Sequence, residues 1–160
     1  MNRTPISFIL NGAATDVFVA PGANLLDTLR RGVGDLTPKF GCGQGGCGAC
    51  TVLVDGAPHL ACLVLAETVA GRAVETTAGL SNGADLHPLQ RRFIEGFAAQ
   101  CGYCTPGMLM AAKALLDTTP DPGRAQVIEA ISGNLCRCTG YEPIVDAILA
   151  AAAEMRGRVA

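Results

Sequence analysis

Residues 39–51 read Lys39-Phe40-Gly41-Cys42-Gly43-Gln44-Gly45-Gly46-Cys47-Gly48-Ala49-Cys50-Thr51, and the reading of the whole chain turns on them. The cysteines are separated by four residues and then by two, and Cys62 follows after a strand–turn–strand pattern. The spacing C-x4-C-x2-C…C is the one by which four thiolates hold a plant-type [2Fe–2S] centre. The glycines fit the same purpose. A loop wrapped round an inorganic core needs positive φ and close backbone approach, and Gly43, Gly45, Gly46 and Gly48 can supply both. The N–H groups of such a loop can point at sulfur and stabilise its negative charge.

Outward from this loop, the pattern is that of a small mixed fold. Apolar residues Ile6 to Leu10, then Asn11-Gly12, then alternation from Thr15 to Val19 predict a type I′ hairpin. Pro21-Gly22 is a turn, and Asn24 is placed to cap a helix carrying Leu25, Leu26 and Leu29. After the loop, Thr51 to Val54, Asp55-Gly56 and Leu60 to Leu63 predict a second hairpin with Cys62 inside its returning strand. Ala73 to Thr77 predicts a last short strand. Hairpin, helix, loop, hairpin, strand is a β-grasp order, and the first domain is expected over residues 1–77.

Residues 78–86, Ala-Gly-Leu-Ser-Asn-Gly-Ala-Asp-Leu, read as a linker. Residues 87–160 then take a helical period. The first helix is expected from Pro88 through Ala99, with Leu89, Phe93 and Phe97 on one face. The second runs from Pro106 to about Asp117. The third carries Val127, Ile128 and Ile131 and stops at Gly133 as its C′ residue. The fourth follows Thr139, with Ile144, Val145, Ile148 and Leu149. The fold class is therefore α+β, a β-grasp domain followed by a four-helix bundle. In an up-down-up-down bundle, the connections holding Cys101 and Cys104 and those holding Cys136 and Cys138 lie at the same end. Thr105 is expected as an N-cap, and Thr139 with Glu142 as a capping box. Each cysteine pair thus precedes a helix N-terminus, which favours an anion.

The eight cysteines fall into two sets of four, 42, 47, 50, 62 and 101, 104, 136, 138, with none left over. No export signal precedes the first strand, so metal ligation is favoured over a disulfide framework and the cytoplasm is the expected compartment. No apolar run is long enough to span a bilayer. The net charge is −2 with no basic stripe, which disfavours nucleic acid as a partner. Glu67, Glu75, Glu95 and Glu129 form no paired-carboxylate arrangement. Taken alone, the second set fits a structural zinc site as well as an iron–sulfur centre. A thioredoxin-like reading of Cys101-Gly102-Tyr103-Cys104 lacks its βαβ context. His59 reads as a turn residue and His87 as a helix-start residue. Lys39 and Arg137 flank ligand positions and could offset the charge of a centre.

Three stretches together carry a resemblance: residues 39–51, Gln100-Cys-Gly-Tyr-Cys-Thr-Pro-Gly-Met108, and Gly133-Asn-Leu-Cys-Arg-Cys-Thr-Gly-Tyr141. The chain resembles the small iron–sulfur subunit of the molybdenum hydroxylases, the xanthine oxidase family. The resemblance implies two [2Fe–2S] clusters, one in each domain, and settles the second set for iron. It implies a large partner subunit carrying a molybdenum pterin, and usually a third subunit carrying FAD. The second cluster would face the pterin, with Cys138 the nearest ligand and Gln100 hydrogen-bonded to the pterin. Electrons would pass singly through both clusters to the flavin or another acceptor, with no catalytic residue and no substrate site in this chain. The chain stops soon after its fourth helix, so it is expected to lack flavin and molybdenum domains of its own. A zinc-stabilised interaction module and a free-standing two-cluster carrier are the competing readings.

Overall fold

The structure, a computed structural model, describes residues 3–157. The expected domain limits at residues 1 and 160 lie outside the described residues. β1 (Thr4–Leu10) and β2 (Ala13–Val19) form the first hairpin. Asn11 and Gly12 take φ of 50° and 84°, the positive pair that a type I′ turn requires. Ile6, Phe8 and Leu10 alternate inward along β1. Asn24 caps α1 (Leu25–Asp27), its side chain accepting the Asp27 N–H at 2.7 Å. A regular helix does not continue. The chain widens into a π-helical turn over Thr28–Val33 that closes at Gly34 with φ of 89°. Gly32 lets this wide turn lie on β2, since a Cβ there would come within 2.8 Å of Val17. Leu25, Leu26 and Leu29 are fully buried as the sequence requires. Each contributes about 1.5–3 kcal/mol by leaving water.

β3 (Thr51–Val54) and β4 (Ala57–Leu60) turn at Asp55 and Gly56, with φ of 50° and 78°. The return strand therefore starts at once, and its register pairs Leu60 with Thr51. Cys62 lies beyond the strand, in the turn that follows, and not inside it. The two-residue turn has exhausted the partner strand by Leu60. His59 correspondingly sits in β4 opposite Val52, not in a turn. β5 (Ala73–Glu75) enters the middle of the sheet, parallel to β1 and antiparallel to β3, giving the order β2-β1-β5-β3-β4. Val52 and Val54 face the sheet core, whereas Thr51 and Leu53 are buried on the opposite face, against which α3 lies.

The second core is helical, built from α2 (Pro88–Glu95), α3 (Thr105–Thr118), α4 (Arg124–Ile131) and α5 (Glu142–Gly157). His87 opens α2, its Nδ1 accepting the Leu89 N–H while its own N–H donates to Gln90. α2 ends earlier than its apolar pattern predicts. Phe97 adopts φ of 52°, and the Ala98 N–H reaches back to the Phe93 carbonyl at 2.9 Å. That is a left-handed C-terminal cap with phenylalanine in the usual glycine place. Leu89 and Phe93 are buried, but Phe97 is thrown out to 76 % exposure.

Three other local expectations are corrected. Cys104 rather than Thr105 is the N-cap of α3, because Thr105 is already helical. Gly133 is not a left-handed stop for α4. The chain leaves through Ser132, and the Asn134 N–H bonds Ile131. Thr139 and Glu142 make no capping box. Thr139 accepts the Tyr141 N–H, the Tyr141 carbonyl opens α5, and Glu142 pairs with Arg124. Of the face expected on α4, Val127 and Ile131 are buried and Ile128 is half exposed.

Candidate metal centres

The structure assembles the cysteines as two quartets, and all eight are free thiols. In the first, Cys42 interacts directly with Cys47, and Cys50 with Cys62 and Cys47. In the second, Cys104 interacts with Cys136, and Cys138 with Cys101. The Cys101 and Cys138 sulfurs are 3.7 Å apart. Two sulfurs bound at about 2.3 Å on one tetrahedral metal stand about 3.8 Å apart, so this is the spacing of a chelating pair. Among the described residues no three His, Cys, Asp or Glu groups close round a single ion. Two thiolates on each of two irons is the ligand arrangement of a [2Fe–2S] centre.

Backbone geometry prepares the first quartet for negative charge. Gly43, Gly45 and Gly48 have φ of 67°, 81° and 68°, which L side chains rarely adopt. Gly46 does not share this conformation, and a Cβ there would meet nothing within 4 Å. The folded loop turns the Gln44 N–H onto Cys42. With the Cys47 thiol and the N–H groups of Gly46 and Cys47, and against a desolvation cost, it brings the Cys42 thiol down to about 7. This concave set of N–H donors is an anion nest. Burial pushes its quartet partner Cys50 up to about 11. Gly41 also cradles the site, since a Cβ there would lie 2.7 Å from the Cys47 sulfur.

The second quartet repeats this asymmetry. Burial, then the hydrogen bond with Cys136, pushes Cys104 up to about 12. Burial opposes ionisation of Cys136 too, but the Thr139 hydroxyl and the N–H groups of Thr139 and Cys138 outweigh it and hold that thiol below its ordinary value. Thr139 donates to the Cys136 sulfur at 3.1 Å. The Tyr141 hydroxyl accepts the Cys136 N–H at 3.0 Å. Cys138 is raised, chiefly by the hydrogen bond it gives Cys101. A metal held by these thiols would have to expel protons from Cys50, Cys104 and Cys138. A cavity of about 190 Å³ lies among all four sulfurs and is walled by Gly41, Cys47 and Ala49 of the first loop.

Cys101 and Cys138 are the exposed members of the eight, and Cys50 is the buried one. Gln100 is exposed beside Cys101, its amide only 3.5 Å from the Phe97 carbonyl. Lys39 is tied to the Leu36 carbonyl, whereas Arg137 lines the cavity of the second quartet. The sequence reading missed Gly41, Thr139 as a donor to sulfur, Tyr141 as an acceptor for Cys136, and Asn134. The Gly-Asn and Thr-Gly-Tyr runs flanking Cys136 and Cys138 were the only signal for the last three.

Comparisons with known proteins agree with these two quartets. Residues 8–76 match the 2Fe-2S iron-sulfur cluster binding domain family, and residues 76–149 the [2Fe-2S] binding domain family. The chain is 45 % identical to the nicotinate dehydrogenase small FeS subunit of Eubacterium barkeri, over 92 % of this chain and 94 % of that one. It is 48 % identical to the nicotine 6-hydroxylase small subunit of Paenarthrobacter nicotinovorans, over 92 % of this chain and 89 % of that one. The crystal structure of quinoline 2-oxidoreductase from Pseudomonas putida 86 superposes with a TM-score of 0.94, at 47 % identity and 98 % coverage of both chains. With two matched [2Fe–2S] domains in order and relatives aligned over about nine-tenths of their length, the chain belongs to the small iron–sulfur subunits of the molybdenum hydroxylases, the xanthine oxidase family.

Proposed function

We propose that Cys42, Cys47, Cys50 and Cys62 hold one [2Fe–2S] centre and that Cys101, Cys104, Cys136 and Cys138 hold the other. The observation that carries this is the gathering of the eight thiols into two mutually interacting quartets within one chain, with Cys101 and Cys138 at the separation of a chelating pair. The buried hydroxyl of Thr105, beside Cys104 and without a partner among the described residues, is a donor left over for the second centre's sulfur. The domain division at residues 77 and 87 fits the two separate apolar cores.

The chain is an electron-transfer subunit whose relatives work with a large molybdenum-binding subunit. Bound [2Fe–2S] centres supply one-electron redox chemistry, and the protein sets their potentials through hydrogen bonds to sulfur, charge and solvent exclusion. We place the large subunit against the exposed Cys101–Cys138 edge, where Phe97, Tyr103 and Leu135 are also exposed. Gln100 and Cys138 would contact the molybdenum pterin there. The first quartet would then face the acceptor, which we take to be FAD in a third subunit. The exposed Phe40 and Leu63 beside that loop suit a contact. We assign the protein to the cytoplasm, where eight thiols stay reduced. No helix among the described residues is long and apolar enough to cross a membrane. The relatives matched over most of their length are named for nicotinate, nicotine and quinoline, and we extend that class, nitrogen heteroaromatics, to the substrate of the partner subunit.

The test is anaerobic addition of such a heterocycle to the purified complex. Substrate should bleach the visible absorbance of both centres. Gln100→Ala should keep both centres but slow that bleaching about tenfold, as loss of a positioning contact does. Bleaching at the wild-type rate in that variant would count against the pterin contact.

A further inference from the structure

Among the contacts that join the sheet lobe to the helical lobe, one is built round a single backbone carbonyl, that of Gly48. It accepts the Thr51 N–H at 3.0 Å, the Thr51 hydroxyl at 2.7 Å and the Asn134 amide at 2.9 Å. The same amide reaches the Thr51 hydroxyl oxygen at 3.3 Å. Asn134 is only 5 % exposed. Glycines let the backbones close to this distance. A Cβ on Gly107 would lie 2.2 Å from the Gly48 oxygen. A Cβ on Gly48 would lie 2.5 Å from the Gly133 oxygen.

Every member of this seat lies within three residues of a proposed cluster-ligand position. Gly48 follows Cys47, Asn134 precedes Cys136 by two residues, and Gly107 follows Cys104 by three. Beside it, the Leu135 N–H donates to the Cys47 carbonyl at 2.9 Å. A ligand of the first set and the neighbour of a ligand of the second are thus joined by a single hydrogen bond. A buried amide is directional in a way that an apolar side chain is not. It fixes one separation and one register between the packed surfaces.

We infer that Asn134 is a positioning residue which, with Gly48 and Gly107, sets the distance between the two centres and so the rate at which an electron crosses between them. The inference rests on the two-centre reading above. In the step itself, one electron leaves the reduced second centre, which is thereby oxidised, and enters the oxidised first centre, which is thereby reduced. No bond or proton is exchanged. The side chain of Asn134 takes no part in the chemistry. It acts by holding Cys47 and Cys136 in register.

The experiment uses the full chain with both centres loaded, in wild type, Asn134→Leu and Gly107→Ala. Gly107→Ala raises helix propensity, so harm from it comes from the seat and not from α3. Two quantities are read: the spin–spin splitting between the centres when dithionite has reduced both, and the rate of electron passage after a pulse of a one-electron radical reductant. Iron and sulfide content should match wild type in at least one variant. There the splitting should weaken and electron passage should slow with it. Unchanged splitting and rate in a variant that keeps both centres would overturn the inference. So would loss of a centre from both variants, which would make the seat part of a metal site and not a spacer. Absence of iron from the wild-type chain would instead overturn the two-centre reading.

Discussion

Replacing Cys136 by serine is expected to abolish the second centre and leave the first intact. A serine hydroxyl is a hard, protonated oxygen where iron needs a soft thiolate. Cys136 is also the thiol that Thr139 and two backbone N–H groups hold below the ordinary range, so the replacement removes a sulfur whose ionisation the site favours. Without metal, Cys104 keeps its proton in a half-buried site where desolvation has pushed it up to about 12. On the proposed ligand set the centre would crosslink the α2–α3 connection to the α4–α5 connection, as a disulfide would, and such links are worth about 2–5 kcal/mol. A helical core of this size has little to spare. Its thermal midpoint should fall by about 10 °C or more. Iron should drop from about four to about two per chain, with one of two reduced-state EPR signals lost. Two intact signals would mean that the eight thiolates are divided differently.

Gly45→Val is expected to do the reverse, emptying the first centre from most chains while the second persists. A β-branched residue at φ of 81° is a genuine outlier. Such backbone strain costs about 1–3 kcal/mol. The new Cβ would also start 2.6 Å from Leu63 Cδ1, and Leu63 adjoins the ligand Cys62. The N–H groups that settle on Cys42 would be turned away with the loop. Gly46→Ala is the matched control. Its backbone is not left-handed and its Cβ would meet open space, so it should retain both centres. Equal loss in the two variants would show that the loop works by flexibility and not by a fixed nest.

The comparison of these two glycines shows where sequence reading reaches and where it stops. Cysteine spacing alone separated the quartets, because ligand geometry leaves few chain lengths between thiolates. Asn-Gly and Asp-Gly turns were legible for the same reason, since few residue pairs tolerate two positive φ values. The glycine cluster was legible as a cradle, but its conformations were not. Nothing in the letters distinguishes Gly45 from Gly46. The end of α2 was misjudged because Phe97 occupies a left-handed cap that propensity assigns to glycine, and so the helix face ran on past its true end. The apolar run carries alternation through Cys62, but the two-residue turn fixes the register and ends β4 at Leu60. Asn134 was invisible because its partner, the Gly48 carbonyl, lies 86 residues away. Tertiary hydrogen bonds to backbone oxygen leave no periodic trace.

The most direct measurement is iron and acid-labile sulfide on anaerobically purified chain, with EPR after dithionite reduction. The account predicts a brown protein with about four of each per chain and two distinguishable one-electron signals. A folded, colourless chain containing zinc or no metal would contradict it.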